Sequence, residues 1–478
     1  MPTDFISREI TIGNLRLGGR QPIRIQSMTN TPTLDTDATV AQVIHLAEAG
    51  CELVRITAAN VQEVENLKNI RMALKERGIY IPLVADIHFM PKAAEIAAQI
   101  VEKVRINPGN YSGSHHKDKK YSEAGYRKEL DETAQNLEPL LNICKHHGTA
   151  IRIGINHGSL SDRILYKYGN TAKGMVSSAM EFIRICQTYH FENLILSLKA
   201  SDVQTMIEAN RLMVQEMQKH GLDYPLHLGV TEAGNGTEGR IKSAMGIGTL
   251  LSGGTGDTIR VSLTEAPERE IPVARRLVEF HGRKSSKPGV KVRYLNSGGM
   301  SGHQRLAVAF IGDTKDFSEE TVIILLSYHG LPEEDLMLCA PVDFYLAYEN
   351  KKADGLLIVN GLSGNNRHLR ELAMEILQAR GLRYSKTEFV ACPSCGRTLF
   401  DIEKILEKVK KRLGNIKGLK IAVMGCLVNG PGEMAGADYG FVGAAPGKVN
   451  LYKKEKILFR NLSEAEALDR LEKLIMGK

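Results

Sequence analysis

Three features that would each identify a familiar class of protein are missing from this chain of 478 residues. No apolar run approaches the roughly 20 residues that a helix needs to cross a membrane. There is no lysine tract, and basic and aromatic residues do not alternate as they do in nucleic-acid-binding proteins. The net charge of +7 is mild for this length, so it predicts a local anionic ligand and neither a nucleic-acid nor a membrane partner.

The chain also lacks the cysteine pattern of a disulfide framework. Its seven cysteines are odd in number and mostly isolated, which favours a reducing compartment. The first five residues show no basic stretch leading into an apolar core, so no signal peptide is predicted. With 43% hydrophobic and 24% charged residues, the composition is that of a soluble globular protein, which we expect to be cytoplasmic.

A pattern that recurs between residues 23 and 263 predicts the fold of the first half. A short β-branched run ends in a polar residue and is followed by a longer stretch with helical spacing. The predicted strands are residues 23–28, 53–57, 83–88, 103–107, 151–156, 194–199, 226–231 and 258–263. Eight such units are typical of an α/β fold of the (β/α)8 TIM-barrel type, with the active site at the C-terminal ends of the strands. A doubly wound sheet is the alternative, but the Gly-rich fingerprint of that fold is absent.

Basic and polar side chains stand at the ends of these strands. Residues two or four apart in a strand share a face, which pairs Asp86 with His88, Arg105 with Asn107, Arg152 with Asn156, and Arg260 with Ser262. Arg55, Lys199 and Glu232 complete the set. Burying so many cations costs free energy unless an anion neutralises them, and arginine forks match phosphate oxygens. We therefore expect a site for a phosphate or diphosphate ester; the alternative is that Arg–acid pairs brace the barrel.

Three cysteines and a carboxylate are gathered near the end of the chain. Cys392 and Cys395 form a CxxC motif, Cys426 follows about thirty residues later, and Glu433 lies in a Gly- and Pro-rich turn. Soft thiolates select iron–sulfur clusters, zinc or copper(I), and a CxxC alone also occurs in redox disulfides. A cubane held by three thiolates and one exchangeable oxygen ligand fits this set best. A structural CxxC with an unrelated third cysteine, or a non-enzymatic metal-binding module, stays open.

The chain is predicted to contain three segments. Residues 1–283 form the barrel, residues 284–380 a small α/β insert, and residues 381–478 an α/β iron–sulfur domain. In the insert, residues 306–311, 321–327 and 356–359 are strand-like and residues 368–379 are helical. In the last segment, residues 402–413 and 464–475 have the spacing of amphipathic helices.

Motifs at both ends of the chain resemble those of the 4-hydroxy-3-methylbut-2-enyl diphosphate synthase family. The barrel motifs are QSMTN (26–30), VADIHF (84–89), VRINPGN (104–110), IRIGIN (151–156), KASD (199–202), TEAG (231–234) and GDTIRVS (256–262). ACPSCGRTLFD (391–401) and MGCLVNGPGE (424–433) are similar to the iron–sulfur signature of that family. The CxxxCxxC run of adenosylmethionine radical enzymes, another class built on barrels, is absent from the sequence.

The resemblance implies an isoprenoid-pathway oxidoreductase. Its substrate would be 2-C-methyl-D-erythritol 2,4-cyclodiphosphate, opened and dehydrated with two electrons from reduced ferredoxin or flavodoxin. By analogy, a [4Fe–4S] cluster is bound by Cys392, Cys395, Cys426 and Glu433. The diphosphate is bound by Arg55, Arg105, Arg152, Asn156, Lys199, Arg260 and Ser262. The residues near the reacting carbons are His88, Glu232 and Asn429.

The segment between barrel and cluster motif is about 95 residues long, too short for a second (β/α)8 barrel. The resemblance is closer to the branch of the family that carries an inserted middle domain, but the insert here is smaller than usual. Two arrangements therefore stay open. Either one chain completes its own active site, or the cluster segment of one subunit caps the barrel of its partner. We expect a homodimer, and the sequence does not decide between these two arrangements.

Overall fold

The computed structural model describes residues 5–87, 89–111, 120–296, 298, 300–311, 318, 321–361, 366–427, 430–434 and 436–477. The chain starts with a hairpin of β1 (Ile10–Ile12) and β2 (Leu15–Leu17). Ile12 and Leu17 are fully buried, and this hairpin packs on Leu53, Val84 and Ile195 near the N-terminal ends of the strands that follow. The hairpin therefore closes the N-terminal end of the sheet that carries the site.

The first large sheet is a closed parallel barrel. Its strands are β3 (Arg24–Met28), β4 (Leu53–Thr57), β5 (Leu83–Asp86), β6 (Lys103–Ile106), β7 (Ala150–Asn156), β8 (Leu194–Lys199), β9 (His227–Leu228) and β10 (Thr258–Ile259). They follow the order β8-β7-β6-β5-β4-β3-β10-β9, and a parallel bridge between Leu196 and Leu226 joins the two ends. The predicted TIM barrel is confirmed. β9 and β10 are shorter than predicted because the chain leaves the ladder after Leu228, where the Lys199 side chain lies against Gly229.

Helices surround this barrel. They are α1 (Thr36–Glu48), α2 (Val61–Glu76), α3 (Pro91–Ala97), α4 (Pro108–Tyr111), α5 (Glu123–His147), α6 (Asp162–Tyr168), α7 (Ala172–Thr188), α8 (Val203–Lys219), α9 (Gly236–Ser243), α10 (Thr249–Ser252) and α11 (Glu270–His281). Several begin at a capping side chain: Asp35 accepts a hydrogen bond from Ala38 N, and Asp202 accepts one from Thr205 N. Caps of this kind fix where each helix leaves the loop at the C-terminal end of a strand.

The middle segment forms a small mixed sheet. Its elements are β11 (Lys291–Asn296), α12 (Gly302–Ala307), β12 (Ala309–Phe310), β13 (Val322–Tyr328), α13 (Glu333–Asn350), β14 (Gly355–Asn360) and α14 (Asn366–Ala379), with the strand order β11-β13-β14-β12. The strand predicted at residues 306–311 is wrong in its first half. Ser301 and Gln304 form a capping box that starts helix α12 there instead.

The last segment is a five-stranded sheet with two long helices. Its elements are β15 (Glu388–Ala391), α15 (Ile402–Leu413), β16 (Lys420–Met424), α16 (Gly430–Glu433), β17 (Tyr439–Ala445), β18 (Lys448–Lys453), β19 (Lys456–Ser463) and α17 (Glu464–Met476). β15, β16 and β17 run parallel, and β18 and β19 are antiparallel additions. The predicted helix at residues 402–413 is confirmed to the residue. The three sheets fall within the three predicted segments, whose exact boundaries stay predictions.

No helix in the described ranges is long and apolar enough to cross a membrane. The barrel and the middle segment share one hydrophobic core, to which α13 contributes Leu336 and Phe344. The last sheet has its own core, in which Leu406, Phe441 and Leu471 are fully buried. The cluster motif is therefore carried by a unit with an independent packing core.

Leu406→Ala tests that independence. Removing this fully buried side chain from α15 is expected to cost about 2–5 kcal/mol of local stability, because the surrounding core cannot close the gap completely. Hydrogen-exchange mass spectrometry should show faster exchange in α15 and β15–β16 and unchanged exchange in the barrel strands. Lys408→Ala, on the exposed face of the same helix, should leave the pattern of the parent chain. Equal acceleration in the barrel would contradict two separate cores.

Candidate active site

A cavity lies between the C-terminal ends of the barrel strands and the loops of the last sheet. The barrel contributes Met28, Arg55, Asp86, Arg105, Arg152, Asn156, Ser197, Lys199, Thr231, Glu232, Arg260 and Ser262. The last segment contributes Cys392, Pro393, Cys395, Arg397, Met424, Cys426 and Glu433. All predicted anion-binding residues, Glu232 and all four predicted cluster ligands thus face one space. His88 and Asn429, the other two predicted residues, lie outside the described residues.

Positive charge in this cavity exceeds the negative charge that pairs with it. Arg105 Nη1 lies 3.1 Å from Asp86 Oδ1, and Arg260 Nη2 lies 3.4 Å from Glu270 Oε1, so part of the predicted Arg–acid bracing exists. Arg152 differs, since it is 1% exposed and its Nε and Nη1 have no hydrogen-bond partner among the described residues. Buried donors without acceptors are costly, so the site is suited to an incoming anion.

Burial and mutual repulsion also lower the pKa values of three of these cations. Burial, followed by the charges of Arg55 and Arg105, lowers the pKa of Arg152 well below its usual range. Burial and then the charge of Arg152 likewise lower the pKa of Lys199, and burial lowers that of Arg55 to about 10. A bound anion would offset the cost of burial and the repulsion between these cations, so the cations and a phosphorylated ligand would stabilise each other.

Glu232 lies at the junction of the barrel and the last segment. Its φ of 50° is unusual for a residue with a side chain, and its carbonyl accepts a hydrogen bond of 3.3 Å from Ala391 N. Burial, and next the charge of Glu433, raises the pKa of Glu232 well above its usual range. Its Oε2 has no hydrogen-bond partner among the described residues. The arrangement favours a protonated carboxyl group that points into the cavity.

The three cysteines of the motif form no disulfide bond and reach the cavity. Cys392, Cys395 and Cys426 are of intermediate exposure, whereas the other four cysteines are buried elsewhere. Gly425 N donates a hydrogen bond of 3.2 Å to Cys392 Sγ. In the part of the chain that the structure describes, no three His, Cys, Asp or Glu side chains form a group that could hold a metal ion.

A close backbone contact joins the last segment to the barrel beside this site. A Cβ atom added at Gly432 would lie 1.9 Å from Gly158 O, which only glycine avoids. Next to this contact, Asn156 Nδ2 donates a hydrogen bond of 2.6 Å to Glu433 Oε1. The contact thus holds a predicted cluster ligand against a predicted substrate-binding residue.

Two cations at or near the site were missed by sequence reasoning. Lys103 is fully buried and donates a hydrogen bond of 3.1 Å to Gln26 Oε1. It lies two residues before Arg105, so strand alternation predicts it on the same inward face. Arg397 lines the cavity from the loop after Cys395. Its position two residues after Cys395, inside the predicted cluster motif, could have identified it as a residue of the site.

Two family models match the chain. The GcpE TIM-barrel domain matches residues 7–275, and the GcpE protein C-terminal domain matches residues 388–477. The chain belongs to the GcpE family. The resemblance found in the barrel and cluster motifs is therefore confirmed, and residues 276–387 lie outside both matched ranges.

Curated GcpE relatives match nearly end to end. The 4-hydroxy-3-methylbut-2-en-1-yl diphosphate synthase (flavodoxin) of Phocaeicola vulgatus is 41% identical, over 98% of this chain and 97% of that protein. Proteins of the same name from Akkermansia muciniphila and Protochlamydia amoebophila are 40% and 35% identical, over 99% and 98% of this chain and 96% and 95% of theirs. The Phocaeicola alignment is 595 positions long against 478 residues here, so at least 117 positions have no counterpart in this GcpE chain.

Gly432→Ala tests the backbone contact of this GcpE chain. The added methyl group would meet Gly158 O, so we expect α16 to move away and the Asn156–Glu433 hydrogen bond to be lost. Hydrogen exchange in residues 156–160 and 430–434 should then accelerate by about tenfold, as expected when roughly 1.4 kcal/mol of local stability is lost. Gly289→Ala is the matched control, because no atom lies within 4 Å of its added Cβ. Unchanged exchange in Gly432→Ala would show that the contact does not hold the segments together.

Proposed function

We propose that this chain is a 4-hydroxy-3-methylbut-2-en-1-yl diphosphate synthase that takes its electrons from flavodoxin. The observation that carries the proposal is one cavity that contains buried guanidinium donors without acceptors, three thiols outside any disulfide bond and a carboxylate. The curated relatives bear this name over nearly their whole length. Two electrons and two protons convert 2-C-methyl-D-erythritol 2,4-cyclodiphosphate to the linear diphosphate and one water.

The barrel cations bind the diphosphate of this substrate. Arg152 supplies guanidinium donors that have no acceptor in the described part of the chain, and Lys199 supplies a buried ammonium group. Arg55, Arg105, Arg260, Asn156 and Ser262 line the same cavity and complete the anion site. Guanidinium forks bind phosphate oxygens in pairs, which fixes the orientation of the substrate as well as its position.

Cys392, Cys395, Cys426 and Glu433 hold a [4Fe–4S] cluster. The donor set fits, because the three thiols are soft, form no disulfide bond and face one cavity together with the carboxylate. These four side chains border the space in which they would hold the cluster. When bound, the cluster supplies single electrons and an iron with an exchangeable oxygen ligand.

Other residues of the site donate a proton or position a cluster ligand. Glu232 is buried and its pKa is raised, which favours the protonated carboxyl group, so it is the residue that protonates the hydroxyl group that leaves as water. The hydrogen bond from Asn156 holds Glu433 on the side of the substrate.

His88 and Asn429 stay predicted neighbours of the reacting carbons. Ferredoxin as an alternative donor, the homodimer, the cytoplasmic location and the boundaries at residues 283 and 380 likewise stay predictions.

The decisive test is anaerobic purification with quantification of iron and sulfide. The cyclic diphosphate is then added to the dithionite-reduced protein while its EPR spectrum is recorded, and product is measured with reduced flavodoxin. Four irons per chain, a new substrate-dependent signal and formation of the linear diphosphate are expected. Zinc in place of iron, or a reduced cluster that does not respond to the substrate, would favour a metal-binding module without this activity.

Glu433→Cys tests the need for an oxygen ligand. The variant should keep its iron, because a fourth thiolate still binds it, but lose turnover by about 100-fold, the upper end of the usual cost of disturbing a metal site. The substrate-dependent EPR signal should disappear as well. Glu455→Cys adds a thiol at an exposed position and should behave as the parent chain. Full turnover in Glu433→Cys would show that ligand exchange at this position is not required.

A further inference from the structure

Among the described residues that line the cavity, Arg397 is the cation that the last segment contributes. It follows Cys395 by two residues, and its side chain is 13% exposed. Its Nη2 lies 3.4 Å from Asp86 Oδ2, across the junction between the last segment and β5. Its Nε and Nη1 have no hydrogen-bond acceptor among the described residues. A guanidinium carries five N–H donors, so Arg397 keeps donors for a further acceptor beside its interactions with Asp86 and the Cys395 thiol.

The loop that carries Arg397 is seated closely on the barrel. A Cβ atom added at Gly396 would lie 2.9 Å from Thr31 O and 3.6 Å from Thr57 Cβ, so this residue lies almost in contact with the loop after β3 and with the last residue of β4. The position of the guanidinium is therefore set by backbone contacts and not by the ion pair alone. It points into the same cavity as the cations of the barrel strands.

Asp86 is shared between two guanidinium groups. Its Oδ1 lies 3.1 Å from Arg105 Nη1 and its Oδ2 lies 3.4 Å from Arg397 Nη2, and the side chain is 2% exposed. Both guanidinium groups also line the cavity. An anion placed between Arg105 and Arg397 would accept hydrogen bonds from the Nε and Nη1 donors of Arg397.

We propose that Arg397 binds the diphosphate of the substrate from the side of the cluster loop, and that Asp86 is the positioning residue that aims it. The inference rests on the proposed function and adds to it a substrate-binding residue outside the barrel. The anion then links two parts of the chain, because barrel cations contact it from one side and Arg397 contacts it from the other. Diphosphate binding is thereby coupled to the seating of the cluster loop on the barrel.

The competing role for Arg397 is support of the cluster ligands. The charge of Arg397 interacts favourably with the Cys395 and Cys426 thiols, so a cation here also stabilises bound thiolates. The two roles differ in what they require. A support residue acts without any anion, whereas a substrate-binding residue acts only when the anion is present.

The test uses the iron-loaded protein and inorganic pyrophosphate as the probe, titrated calorimetrically. Arg397→Gln should raise the dissociation constant at least tenfold, with iron content and the EPR spectrum of the reduced, substrate-free protein unchanged. Pyrophosphate should also slow hydrogen exchange in residues 392–398 of the parent chain, and should not do so in the variant. Arg460→Gln removes the same charge from an exposed position of β19 and should bind the probe as the parent chain does.

An unchanged dissociation constant in Arg397→Gln would overturn the proposal, and so would an altered EPR spectrum combined with normal pyrophosphate binding. If Arg397→Gln loses iron, the same titration of Arg397→Lys decides. An ammonium group keeps the charge but lacks the fork, so a rise of at least threefold is expected, whereas parental affinity contradicts the proposal. Because pyrophosphate binding needs no turnover, failure here is distinguishable from failure of the proposed activity, which would appear as absence of product in the parent chain.

Discussion

The free-energy cost of holding several guanidinium and ammonium groups together is the constraint on which the rest of the site depends. Arg152 and Lys199 are buried, and the partly buried Arg55 lines the same cavity, where the mutual repulsion of the three cations is poorly screened. A flexible loop could not keep such groups together, since they would separate and turn toward water. Strands that are hydrogen-bonded on both sides can hold them, which is why this anion site is built on a closed barrel.

The same constraint explains why the last segment must be placed precisely. Its thiols and Glu433 are useful only if they face the anion site, yet they belong to a sheet with a core of its own. Close backbone approaches solve this problem at two places, Gly432 against Gly158 and Gly396 against Thr31. Backbone contacts are stiffer than contacts between long side chains. Two polar contacts also join these segments: the hydrogen bond from Asn156 to Glu433 and the ion pair between Arg397 and Asp86.

The parts of this arrangement that follow from local sequence were predictable. β4 and β8 have the predicted bounds because an apolar, β-branched run ends sharply at a polar residue in each. α13 was missed for a physical reason: it is buried between barrel and middle sheet, so apolar residues cover most of its surface and no helical stripe is visible. The Asp86–Arg397 pair joins positions 311 residues apart, and no local pattern encodes such a contact. Sequence reasoning found many of the residues that line this cavity, and it could not find which of them touch.

The short middle segment bears on how the two halves of the cavity meet. The Phocaeicola relative has at least 117 aligned positions that this chain lacks, yet the cavity here is lined by barrel and cluster residues of a single chain. In the described part of this chain, a four-stranded sheet and its helices connect the barrel to the last segment. The four-stranded sheet is sufficient because α13 packs on the outside of the barrel beside α9 and α11 and contributes to the barrel's own core. With the middle segment fixed there, the chain that leaves α14 has only residues 380–387 to cross before β15 docks beside Glu232. A short, well-packed connection limits how far the cluster loop can move from the anion site, and this favours completion of the site within one chain.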